Sequence, residues 1–178
     1  RVAIVDGDWS NAAFWLCAGA LPDCEISVSG LDQNSAQGDR RIAEIVKGLP
    51  REIDASPIPD LIPAAAALYA ALGLPLRVVN AARLRLKESD RIKTVCAAIN
   101  ALGGSAHETA DGLTLTGSAP LSGGRVDAAG DHRIAMMAAV AAVACAGSVE
   151  IAGAEAVAKS YPDFWRDYAA LGGRVELI

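Results

Sequence analysis

One local signal recurs along this chain and limits what it can fold into: a Gly, Pro or Ser, then Asp, then an apolar run. It appears at Gly7-Asp8 before residues 12–21, at Pro59-Asp60 before 64–72, and at Gly130-Asp131 before 134–146. A second trio interleaves with the first, at Gly38-Asp39 before 42–49, Ser89-Asp90 before 92–102, and Pro162-Asp163 before 164–171. Asp is a strong helix N-cap because its carboxylate accepts a hydrogen bond from a free amide of the first turn. Pro22, Gly73, Gly103-Gly104, Gly147 and Gly172-Gly173 then supply stops. In the run at 92–102, Ile92, Val95, Ile99 and Leu102 mark one helical face. Six helices are therefore expected.

Segments of β character separate the helices of each pair, at 25–29, 76–79 and 148–151, and the chain opens on another at Val2 to Val5. Further strands are expected at 105–108, 113–116 and 124–127, with Ala110-Asp111-Gly112 as a hairpin turn. The unit reads strand, helix, strand, helix, hairpin, three times over. Self-similarity on this scale implies one supersecondary unit stacked on itself, an α/β domain whose helices run parallel and share their cores. The apolar residues are mostly Ala, Leu, Ile and Val, with only 4% aromatics, which suits helices lying close together.

The repeat is uneven. Asp8 to Asp60 spans 52 residues and Asp60 to Asp131 spans 71; Asp39 to Asp90 spans 51 and Asp90 to Asp163 spans 73. Both trios place a deficit of about 20 residues in the first unit, between Gly48 and Glu52, where its hairpin belongs. Either the chain lacks that hairpin or the sequence omits a loop there. The opening at Arg1, directly on a strand-like run, reads as a piece of a longer protein.

A net charge of −5 and the lack of a basic stretch argue against nucleic acid as the main partner. The longest apolar run, 134–149, is short for a membrane span. Cys17, Cys24, Cys96 and Cys145 form no C-x-x-C pair, and only His107 and His132 stand beside them as soft ligands, so no metal is expected. Cys17, Cys96 and Cys145 read as core residues of a protein in a reducing cytoplasm.

Chemistry concentrates at three helix starts. Residues 83–91, Arg-Leu-Arg-Leu-Lys-Glu-Ser-Asp-Arg, are dense in charge. A solvated helix start explains the acids, but Lys87 and Arg91 add positive charge to a helix end that is already positive, which an anion would offset. Gly130-Asp131-His132-Arg133 puts Arg133 in a first turn, and Lys159 stands just ahead of Pro162-Asp163. Singly, each is a cap or a surface charge. If the repeated helices are parallel, Arg91, Arg133 and Lys159 converge on one anion site. Asp60 and Glu88 are the candidate acid/base groups beside it, with plain helix-end roles as the alternative.

Gly-Asp-Trp-Ser at 7–10, Ile-Pro-Asp at 58–60, Arg-Leu-Lys-Glu-Ser-Asp-Arg at 85–91, Gly-Asp-His-Arg-Ile-Ala-Met at 130–136 and Ala-Lys-Ser-Tyr-Pro-Asp-Phe at 158–164 together resemble the enolpyruvyltransferase family, in its 5-enolpyruvylshikimate-3-phosphate synthase branch. The resemblance spans almost the whole chain. It implies three βαβαββ units around parallel inner helices, here with a shortened first unit. It makes residues 1–178 a single domain, the C-terminal half of a two-domain transferase whose N-terminal domain is absent. The implied reaction moves the enolpyruvyl group of phosphoenolpyruvate to the 5-hydroxyl of shikimate 3-phosphate, in aromatic amino-acid biosynthesis, with no cofactor. By the same resemblance Asp60 holds the shikimate hydroxyls and acts as base, and Glu88 is the acid near the phosphoenolpyruvate methylene. Lys87 holds shikimate 3-phosphate, Arg91, Arg133 and Lys159 hold phosphoenolpyruvate, and His132 supports them. Arg83 departs from the asparagine many members carry there. The resemblance reads Gly-Asp-Trp-Ser as structural, and the isolated chain is expected to be inactive.

Two other readings remain. One is the cell-wall branch of the family, acting on UDP-N-acetylglucosamine. The other is a non-catalytic anion-binding α/β module.

Overall fold

Whether each recurring Asp caps its helix is settled by where its carboxylate points. In the computed structural model, which describes residues 5–117 and 120–177, three of the six do so. Asp8 caps α1 (Trp9–Gly19) by accepting from the Ser10 amide, Asp90 caps α4 (Arg91–Ala101) by accepting from Lys93, and Asp131 caps α5 (His132–Ala142) by accepting from Arg133. The other three make no side-chain cap. Asp39 and Asp60 lie in 3-10 turns, Gly38–Arg41 and Pro59–Leu61, that lead into α2 (Ile42–Gly48) and α3 (Ile62–Ala71). Asp163 precedes α6 (Phe164–Ala170) and pairs with Arg166.

The middle unit is complete. β1 (Glu52–Asp54) runs parallel to β2 (Pro75–Val79), and β2 pairs antiparallel with β4 (Leu113–Thr116), which pairs antiparallel with β3 (Ala106–Glu108). The sheet order is β1-β2-β4-β3. The hairpin closes through Thr109 N donating to Gly112 O at 2.8 Å. Gly112 is needed there, since a Cβ would lie 1.9 Å from the Val78 carbonyl oxygen. The third unit supplies a parallel pair, β5 (Gly124–Asp127) with β6 (Val149–Ala152).

Two expectations need correction. The strand expected at 25–29 does not form. In the other two units the equivalent strand pairs in parallel with the strand that opens its unit. The opening strand expected at Val2 to Val5 falls on 2–4, outside the described residues, and Val5 itself is not in a strand. The third helix stops at Ala142 rather than Ala146, because Ala146 and Gly147 donate their amides to Leu121 and Ser122 and Cys145 bridges to Leu121. Gly147 is therefore a strand-entry residue and not a helix stop. The first-unit hairpin is absent: the chain passes from α2 to β1 through residues 49–51, with Leu49 in a left-handed conformation and the Tyr69 hydroxyl donating to Pro50 O at 2.6 Å.

The helices α1, α3 and α5 pack against one another and form the centre. Every residue of α3 from Ile62 to Ala70 is buried, as is every residue of α5 from His132 to Ala141. A helix apolar on all sides has to lie inside, and small alanines let three axes approach closely. An aromatic group of Trp15, Tyr161, Phe164, Trp165 and Tyr168 ties α6 to α1; Trp15 and Phe164 stack at 5.0 Å. α4 buries the stripe that includes Ile92, Val95 and Ile99, as its periodicity predicts. Among the described residues no helix is long and apolar enough to cross a membrane.

At Gly103, φ is +86° and a Cβ would meet Ser122 Oγ at 2.5 Å. Gly103→Ala should therefore destabilise the domain by about 1–2 kcal/mol, seen as a lowered melting temperature. An unchanged melting temperature would show that this turn relaxes freely.

Candidate active site

Because α1, α3 and α5 start at the same end, their first turns present side chains to one another. Asp60, just ahead of α3, and Asp131, capping α5, both reach Arg91, the first residue of α4. Arg91 Nε donates to Asp131 Oδ2 at 2.8 Å, one terminal nitrogen donates to Asp60 Oδ1 at 2.7 Å, and the other donates to Glu88 Oε2 at 2.6 Å and Asp131 Oδ1 at 3.1 Å. The guanidinium is 1% exposed and Asp131 is 0% exposed. A charge this buried is tolerable only when paired and hydrogen-bonded.

Around this hub lie the remaining expected residues. Lys159 Nζ is 2.7 Å from Glu88 Oε1, and Lys87 Nζ is 3.0 Å from Asp60 Oδ1. Arg133 donates to the Asp60 carbonyl at 3.3 Å and sets Nε 3.8 Å from its carboxylate. The structure thus brings Asp60, Lys87, Glu88, Arg91, Arg133 and Lys159 into one connected network. Asp60 is no helix cap, because its carboxylate serves three cations. His132 lies beside them, 4% exposed, with Nδ1 buried and without a hydrogen-bond partner among the described residues. Burial and the Arg133 charge lower its pKa against the opposing pull of Asp131 and Glu88, so the ring is neutral at pH 7.

The sequence presents Arg91 as an anion donor, and in the structure its donors meet the carboxylates of Asp60, Glu88 and Asp131. Sequence reasoning passed over Asp131 and Ser89. The sequence presents Asp131 only as a cap, yet one carboxylate accepts from the Arg133 amide, from Arg91 and from Ser89 Oγ at 3.0 Å. The signal was present, since an Asp followed by His-Arg inside an apolar sequence needs a buried partner.

The carboxylates are strongly held in their charged form. Burial raises the Glu88 carboxyl, but the Lys159 hydrogen bond, the backbone and Arg91 outweigh it and bring its pKa to about 2. Burial likewise opposes ionisation of Asp60 and Asp131, and it is overcome by Arg133, Lys87 and Arg91 at Asp60 and by Arg91, the Arg133 amide and Ser89 at Asp131. Groups with depressed folded-state pKa values stabilise fully above their unfolded values and lose that contribution as pH falls through the folded ones. Stability should therefore fall as pH drops from 4.5 towards about 2. Glu88→Gln should flatten that part of a pH–denaturation profile, and an unaltered slope would remove Glu88 from the account.

Beside the hub an open cleft of about 360 Å³ is lined by Ser10, Gln37, Asp39, Asp60, Arg83 and Lys87, among others. Cations able to hold a phosphate or carboxylate thus border carboxylates able to hold hydroxyls or move protons. Among the described residues no cluster of three or more His, Cys, Asp and Glu has metal-site geometry.

The whole arrangement matches known proteins. The EPSP synthase (3-phosphoshikimate 1-carboxyvinyltransferase) family model matches residues 1–58 and 49–168, two matches that overlap at 49–58, next to where the first unit is short. The 3-phosphoshikimate 1-carboxyvinyltransferase of Clostridium acetobutylicum is 43% identical over 96% of this chain, and that of Clostridium kluyveri is 41% identical over 97%. The chain spans 44% and 45% of their lengths. A solved EPSP synthase from Acinetobacter baumannii superposes with a TM-score of 0.84 at 25% identity, covering 97% of this chain and 47% of that one. Fold and site together define a domain of the enolpyruvyltransferase type. Within that class, the chain belongs to the EPSP synthase family.

Proposed function

We propose that this chain is the C-terminal half of a 3-phosphoshikimate 1-carboxyvinyltransferase and forms one wall of its active site. The observation that carries the reading is the single network at the common start of α3, α4 and α5, which joins four cations to the carboxylates Asp60, Glu88 and Asp131. Phosphoenolpyruvate brings a carboxylate and a phosphate to Arg133, Lys159 and the rim of Arg91. Shikimate 3-phosphate lies in the adjoining cleft, its hydroxyls towards Asp60 and its phosphate towards Lys87.

The 5-hydroxyl oxygen bonds to the central carbon of phosphoenolpyruvate while a proton adds to the methylene. The resulting methyl then loses a proton and phosphate leaves. Asp60 takes the hydroxyl proton. Glu88 is ionised while Lys159 and Arg91 hold it, so it takes up a proton from solvent only after the ligand's carboxylate has replaced it on those cations. That exchange raises the Glu88 pKa towards the ordinary range. Glu88 then gives its proton to the methylene and takes one back from the methyl as phosphate leaves. His132 stays neutral and supports the wall. The substrates, the second domain that closes over them and a cytoplasmic setting belong to this proposal. The domain needs no cofactor in it.

The test is a titration of the chain with shikimate 3-phosphate and phosphoenolpyruvate, followed by NMR, with Lys159→Ala alongside. Weak saturable binding is expected, with phosphoenolpyruvate affinity falling about tenfold in the variant through loss of one charge-assisted contact. No turnover is expected from the chain alone, because the opposite wall is needed to enclose the ligands. Turnover by the chain alone, or phosphoenolpyruvate affinity untouched by Lys159→Ala, would overturn the reading.

A further inference from the structure

The cleft contains a carboxylate that the network leaves unused. Asp39 comes from the 3-10 turn of the first unit, whereas the residues of the ion-pair network come from the second and third units. Ser10 Oγ donates a hydrogen bond to Asp39 Oδ2. Among the described residues Oδ1 has no hydrogen-bond partner, and no cation forms an ion pair with Asp39. Its charged neighbours are the carboxylates Asp60 and Asp8 and the guanidinium of Arg133. Burial and Asp60 raise its pKa against the pull of Ser10 and Arg133.

Gln37, which also lines the cleft, accepts from the Trp9 amide and donates one N–H to Gly7 O. Arg83 and Lys87 line the same cleft. The cleft therefore offers a carboxylate acceptor at Asp39 and cations at Arg83 and Lys87. A half-buried carboxylate beside a second carboxylate gains from a neutral donor, and a hydroxyl supplies one without bringing in another negative charge. A ligand with ring hydroxyls and an anionic group fits this lining.

We propose that Asp39 touches the substrate, accepting a hydroxyl of the polyhydroxylated acid and selecting that ligand over anions that lack hydroxyls. The proposal rests on the functional reading above. It adds the first unit to the set of units that shape the site.

The test is steady-state kinetics in the complete enzyme with Asp39→Asn. Asparagine keeps an oxygen for Ser10 and turns an NH2 donor to the cleft in place of an acceptor. The KM for shikimate 3-phosphate should rise about tenfold or more in Asp39→Asn. The KM for phosphoenolpyruvate should stay within about twofold. If Asp39→Asn fails to fold, Asp39→Glu, which keeps the charge but displaces it by one methylene, should give the same selective rise. Both KM values moving together, or neither moving, would overturn the proposal. A wild-type enzyme that does not turn over shikimate 3-phosphate would overturn the functional reading and this proposal together. Normal wild-type turnover with an unselective Asp39→Asn would overturn this proposal alone.

Discussion

Arg91→Ala is expected to destabilise the domain by about 3–5 kcal/mol, read as a fall in the urea midpoint at unchanged slope. The variant leaves Asp131, with no solvent exposure, facing a cavity and without the guanidinium that bonded both of its oxygens. Asp60 and Glu88 lose a donor as well, but they are 31% and 26% exposed and retain Lys87 and Lys159. Most of the loss should therefore trace to Asp131. A double variant, Arg91→Met with Asp131→Leu, should recover part of it, because an apolar pair removes the orphaned charge. Full additivity of the two single variants would show that the pair is not coupled. Arg91→Lys should also be poor, since one ammonium cannot supply four bonds in the guanidinium's plane.

Glu88→Gln is expected to lower turnover of the complete enzyme by about 10²–10⁴-fold while leaving the KM for shikimate 3-phosphate within a few-fold. Glutamine matches the carboxylate in size and still accepts from Lys159, so the wall keeps its shape. What disappears is the ability to carry a proton once the ligand has displaced the side chain. Stability at neutral pH should fall by the same contribution that the wild type loses on acidification, since both report the ion pairs of Glu88 with Arg91 and Lys159. Turnover within tenfold of wild type would show that Glu88 only spaces Lys159 from Arg91.

These two residues illustrate how far the sequence could be read. The helix starts at Asp8, Asp90 and Asp131 and the turn at Gly112 follow from local chemistry and were legible. So was the shortened first unit, from spacing alone. The gathering of Arg91, Arg133 and Lys159 was inferred from repetition, which is a tertiary argument drawn from sequence. The direction of each side chain was not legible. The same Gly/Pro/Ser-Asp signal caps a helix at Asp131, holds cations at Asp60 and meets a serine at Asp39, and only packing decides among these. The burial of Arg91 was hidden for the same reason: charge density suggests solvent, and the three facing carboxylates come from separate elements. The strand expected at 25–29, which does not form, and the early end of α5 are likewise matters of pairing. Periodicity sees a residue's own neighbours along the chain, and a ladder is set by residues far away.

The hub of Arg91 and Asp131 also bears on how such a site can change over time. One carboxylate there caps α5, fixes α4 and aims the guanidinium, so a substitution at either residue disturbs folding and ligand recognition at once. Marginal stability leaves little room for such changes. Lys159, Arg83 and Asp39 have no such double duty. Variation in what the domain binds should therefore collect at the rim of the cleft, while the hub persists even in relatives whose substrates have drifted.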